Sequence, residues 1–178
     1  MVGEGLCPFA SPVMDTLRIE VSPASDDYTA TAEFMTLLQE VADASPSELP
    51  TALFVVPNLY RDFDEYWNWT LICDDLLMQM GYEGLLQLAT FHPQYVFEGE
   101  DAGDMSHFTN RSPFPMLHII REHDIEEALT QIRFPERIPE RNRHHMRRLG
   151  HNGLINIMPA LADTAVFADD DDQSTPDN

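Results

Sequence analysis

The chain has 178 residues, 43% of them hydrophobic, with 31 acids against ten basic residues and a formal net charge of −21. That is enough apolar material for one domain with a core, and it excludes a disordered chain. No run of about 18 apolar residues is present to cross a membrane, and so strong a negative charge excludes the basic face that nucleic-acid phosphates require.

Leu17 to Val21 alternates apolar and polar residues, the period of a half-buried strand. Ser22 to Asp27 reads as a turn. Phe34, Leu37, Leu38 and Val41 then recur at helical spacing, so Thr29 to Val41 is expected as a helix that breaks at Ser45-Pro46. Ala52 to Val56 is a continuous apolar run, as in a strand covered on both faces. Residues 60–80 predict a long amphipathic helix closed by Gly81. Leu85 to Phe91 predicts a third strand and 98–113 a polar loop. Two shorter helices are expected at 115–131 and 136–149, the second closed by Gly150. Residues 1–155 read as one domain, and 156–178 as an extension ending in a disordered acidic tail over 169–178. Strand, helix, strand, helix, strand is the order of right-handed parallel crossovers. The expected fold is therefore α/β: a small, mostly parallel sheet of three or four strands with helices packed on it, and ligands bind such sheets outside the strands' carboxyl ends.

All ten basic residues are Arg. The acidic composition fits a halophilic-type surface, in which salt screens the repulsion among carboxylates, while the absence of Lys fits that or a GC-rich coding bias equally. Charge is unevenly spread: residues 133–151 carry six Arg and two Glu, a local +4, in a chain otherwise dominated by acids. This run is a helix docked on its own acidic body, an anion site or, least favoured by the net charge, a nucleic-acid surface. Cys7 and Cys73 are too few for a disulfide framework. Cys73 fits a buried hydrophobe, and with no secretory signal at the start the expected location is the reducing cytoplasm.

Several side chains could carry chemistry. His92, before Pro93 at a strand's carboxyl end, suits a general base, a metal ligand or a satisfied hinge residue. On a helix beginning at Pro115, His118 and Glu122 would stand four apart on one face, a spacing that serves a metal ion or an ordinary hydrogen bond. Arg111 and Arg121 would clamp a carboxylate or phosphate, or pair with the chain's acids. Cys7 beside Pro8 suits a nucleophile, a ligand or packing. The phosphate loops GxxxxGKS/T and GxGxxG, the zinc motif HExxH and the nucleophile elbow GxSxG are all absent.

Four motifs in order, Gly5-Leu-Cys-Pro-Phe-Ala10, Phe91-His-Pro-Gln-Tyr95, Thr109-Asn-Arg-Ser-Pro-Phe-Pro115 with Leu117, His118, Arg121 and Glu122, and Glu140-Arg-Asn142 with Arg147-Arg-Leu-Gly150, resemble the bacterial domain of unknown function 1415. The resemblance spans residues 1–151 and brings no assigned activity. It implies a helix ahead of the Leu6-Cys7-Pro8-Phe9 motif, hence a native start upstream of Met1, and an exposed apolar sheet face without that helix. It also implies that Cys7, His92, Tyr95, Asn110, Arg111, Ser112, His118, Arg121, Glu122, Glu140, Arg141 and Asn142 are the polar positions to weigh. Three expectations follow. One is a small enzyme acting on an anionic small molecule, with Cys7, His92, His118 and Glu122 catalytic and Asn110, Arg111, Ser112, Arg121, Arg141 and Tyr95 holding the substrate. Another is a non-catalytic module binding an anionic metabolite or a partner protein through the Arg-rich segment. Within either role, His92, His118 and Glu122 would hold a transition metal, Zn or Fe. Neither nucleic acid nor membrane is an expected partner.

Overall fold

A computed structural model describes residues 5–7 and 13–159; the expected acidic tail lies outside them. The elements in chain order are β1 (Arg18–Val21), α1 (Asp27–Asp43), β2 (Thr51–Val55), α2 (Phe63–Gln79), β3 (Leu86–Phe91), β4 (Met116–Arg121), α3 (Glu122–Thr130) and α4 (Ile138–Ile157). A 3-10 turn, Met105–Thr109, precedes β4.

Local chemistry sets the helix ends. The Asp26 carboxylate accepts from the Thr29 amide at the start of α1, and Asp62 accepts from Asp64 and Glu65 at the start of α2. Gly81 follows α2 at φ +79°, and the Tyr82 amide returns to the Leu77 carbonyl at 3.1 Å, the left-handed exit that glycine permits. Gly150 also has a positive φ of 61°, yet the chain resumes helical geometry and runs on to Ile157. The expected helix end is therefore a kink, and α4 crosses the expected domain boundary at residue 155.

The sheet order is β1-β2-β4-β3. β1 and β2 are parallel, whereas β4 is antiparallel to both β2 and β3. The fold is α/β, but the sheet is mixed rather than mostly parallel, and residues 116–121 form a strand where a helix was expected. The reason is visible in Met-Leu-His-Ile-Ile-Arg: alternate residues Leu117, Ile119 and Arg121 are buried, and adjacent β-branched isoleucines favour a pleat over a helix. Pro115, which has no amide to donate, supplies a carbonyl to the Val56 amide at 3.0 Å just before the strand begins.

β1, β2 and β3 run in one direction and advance the same way across the sheet. Right-handed crossovers then place α1 and α2 on the same face. The core agrees: Phe34 and Leu38 of α1 and Tyr66, Trp69 and Cys73 of α2 pack with Ala52, Phe54, Leu117 and Ile119. Cys73 is the buried hydrophobe its sequence context indicated, and burial raises its thiol pKa. The other sheet face is apolar and less covered, with Ile19 58% and Val21 57% exposed. Register puts Ile19, Leu53, His118 and Ala89 in one row across it. A second small core, Leu6, Phe108, Met146 and Leu154, joins the chain start, the 3-10 turn and α4.

Candidate functional site

Most of the polar motif residues turn inward and bind backbone. His92 is fully buried. Its Nε2–H donates to the Tyr60 carbonyl at 2.8 Å, and its Nδ1 accepts from the Gln94 amide at 3.0 Å. The ring stacks on Tyr66 at 4.9 Å, and burial lowers its pKa. Tyr60 is the one described non-glycine residue with positive φ (56°), so His92 braces a strained turn between β2 and α2. Of the three roles open to His92, this geometry is that of the hinge residue.

Asn110 Nδ2 donates to the Thr90 carbonyl at 3.0 Å, and Ser112 Oγ donates to the Phe114 carbonyl at 2.6 Å; together they fix the approach to β4. Arg111 is buried, donates to the Tyr95 carbonyl at 3.1 Å and lies 4.7 Å over the Phe108 ring. Burial without a carboxylate lowers its pKa to about 10. Arg121 is buried too and donates to Val41, to Ala44 at 2.8 Å and to Leu49 at 3.1 Å, all carbonyls at or beyond the C-terminus of α1. A cation there meets the negative end of the helix dipole. These two guanidiniums are spent on carbonyls of the chain itself.

The His118 and Glu122 pairing does not form as expected, because residue 118 is mid-strand and residue 122 starts α3. His118 lies on the open sheet face, between the helix-facing Leu117 and Ile119. His92 stacks on α2 on the opposite side. Among the described residues no three His, Cys, Asp or Glu side chains gather in a way that could hold a metal ion. The expected cluster at the strand ends is thus divided between the two sheet faces and the end of α1.

The motifs at the chain start and on α4 do come together. Arg141 Nη2 donates to the Gly5 carbonyl at 3.0 Å, and Asn142 Nδ2 donates to the Leu6 carbonyl at 2.7 Å. They border a cavity of about 690 Å³ whose walls include Arg137, Arg141, His144 and Arg148. Glu140, also on the wall, is held by Arg143 at 2.9 Å. Arg147 turns away to Asp104 and Glu100 at 3.0 and 3.1 Å, and holds the Asp104 carboxyl well below the usual carboxylate range. Arg148 meets the His145 ring at 2.8 Å and Arg141 a carbonyl, so among the described residues neither is neutralised by a carboxylate. Cys7, half-buried, is the next residue after the Leu6 wall. Arg148 is a residue through which the Arg-rich segment was expected to bind its ligand, whereas Arg137 enters the site without having been singled out; the signal for it was the local +4 of residues 133–151.

The chain matches the family described as a protein of unknown function (DUF1415) over residues 1–156. No curated protein and no solved structure matches it.

Proposed function

Because the chain belongs to DUF1415, a family described only as of unknown function, we propose a function from its own side chains: it captures a small anionic molecule in the cavity between residues 5–6 and α4. One observation carries this reading. In a chain with 31 acids, Arg141 and Arg148 stand on a cavity wall bonded to a carbonyl and a histidine, and among the described residues no carboxylate pairs with either. Guanidiniums left so are available to a phosphate or carboxylate, and each charge-assisted contact contributes about 1.5–3 kcal/mol. Asn142 fixes the wall by holding the Leu6 carbonyl. Calorimetric titration with inorganic pyrophosphate tests the reading. Saturable binding weakened about tenfold or more by Arg141→Ala or Arg148→Ala is expected; binding that neither substitution alters overturns it.

A second reading, a small cytoplasmic enzyme using the same cavity, is favoured by Cys7, the residue that follows the wall. Its thiolate would attack the carbonyl carbon of a bound anionic ester, forming a thioester as the C–O bond breaks and the alcohol leaves with the proton, and water would then hydrolyse the thioester to a carboxylate and the free thiol. Since Cys73 is fully buried, iodoacetamide labelling reports Cys7. Protection of that thiol by pyrophosphate supports the enzymatic reading, and labelling indifferent to pyrophosphate leaves binding alone.

A further inference from the structure

We propose that the cavity beside the first turn of α2 is a second binding site, and that it takes an organic cation of the methylated-ammonium class. The cavity holds about 570 Å³ and is walled by Phe63, Trp67, Tyr95 and Phe97, with Asp64 and Glu98 among its polar residues. The rings stand at angles to one another. Tyr95 meets Phe63 at 5.2 Å and 63°, Trp67 at 6.5 Å and 82°, and Phe97 at 5.1 Å and 61°. An edge-to-face contact covers one face of one ring and leaves the other faces free, so inclined rings around the buried Tyr95 can wall a cage that the exposed Trp67 opens to solvent. The negative face of an aromatic ring attracts a cation within about 6 Å of its centroid.

Trp67 is 41% exposed although a second tryptophan two residues on, Trp69, lies in the core. A large aromatic left at the surface beside three others is unexplained by folding and is what a ligand would cover. The sign of that ligand follows from the carboxylates. Of the three carboxylates on the wall, Glu100 is paired with Arg147 at 3.1 Å, whereas among the described residues neither Asp64 nor Glu98 forms an ion pair with an Arg. The positive end of α2 does not reverse this, because Asp62 already accepts from the Asp64 and Glu65 amides. A trimethylammonium head satisfies both features: its methyl groups fill the apolar walls, and its diffuse charge faces the rings and the acids without needing hydrogen-bond acceptors. A bare ammonium ion loses more hydration on entry. Tyr95, a motif residue that the anion cavity does not use, is the ring common to all three inclined contacts.

The test is calorimetric titration with choline and with 3,3-dimethyl-1-butanol, which has the same shape and no charge. The expected result is saturable choline binding about tenfold or more tighter than that of the alcohol, and weakened about tenfold by Trp67→Ala. Glu98→Gln, at an exposed position and harmless to the core, weakens choline about threefold and leaves the alcohol unchanged. Equal affinity for the two ligands would show a merely apolar pocket, and no saturation by about 50 mM choline would show no site of this strength; either overturns the proposal. Pyrophosphate binding at α4 is measured on the same samples, so failure of one site is distinguishable from failure of the other.

Discussion

Thr51 decides where His118 carries its proton. The Thr51 hydroxyl donates to the Ile119 carbonyl at 2.7 Å, so its oxygen must accept from His118 Nε2 at 2.7 Å. Nε2 therefore carries a proton, and burial among apolar neighbours lowers the ring's pKa to about 4, which favours the neutral form. The unfolded chain binds a proton near pH 6.5 and the folded one does not until about pH 4. Stability from this residue is thus fully present above about pH 6.5 and is lost as pH falls toward 4. Because the ring is half-buried, the loss between about pH 7.5 and 5 is about 1–2 kcal/mol. Urea unfolding at the two pH values should show a steeper decline for the native chain than for His118→Gln. Identical declines would mean that burial does not lower the His118 pKa in the folded chain.

Between elements, Arg121 couples the last residue of β4 to the end of α1. Replacing it with Met leaves the carbonyls of Val41, Ala44 and Leu49 without that donor. A cost of about 2–4 kcal/mol in unfolding free energy is expected, and Arg121→Lys should recover only part of it, since a single ammonium cannot reproduce the planar fork. A urea midpoint unchanged in Arg121→Met would show that the clamp bears no weight. The same residue shows how much the sequence discloses. The alternation of β1, the apolar run of β2, the heptad-like spacing of α1 and the glycine after α2 were all readable, because each is dictated by neighbours within a turn or two. β4 reads as a helix from sequence because Pro115 after Ser112 suits a helix's first turn, while the pairing of Leu117 with Phe54 and Thr90 that makes a strand lies far away in sequence. The candidate anion site was legible in its charge but not in its geometry: Arg141 and Gly5 are separated by 136 positions. Arg111 and Arg121 read as anion clamps because sequence shows a cation and not the carbonyls around it.

For the molecule as a whole, the two proposed sites have opposite signs on one strongly anionic body. The open sheet face adds a row of apolar side chains that neither site uses, ending at the exposed Ile19 and Val21 of the edge strand β1. That strand is four residues long, and Arg18 on it is held by Glu20 at 2.9 Å and by Glu40. A short, charged edge of this kind discourages pairing with another chain's strand.

The basic helix α4 also has a kinetic meaning. An anion approaching from afar meets the total charge of −21 before it meets Arg141 and Arg148. Unscreened in water at about 25 Å, that repulsion is about 3.5 kcal/mol per unit charge. At about 0.1 M salt, with a screening length near 10 Å, it falls to a few tenths. Contact with the guanidiniums is short-ranged and is screened far less. The encounter rate of pyrophosphate should therefore rise as an inert salt is added from about 20 to 200 mM, opposite to the usual steered association, while that of choline should fall. Stopped-flow traces in which both rates move the same way would mean that total charge does not govern approach. If they diverge, ionic strength acts as a selector, admitting anions to this protein only where the surrounding solution has hidden its charge.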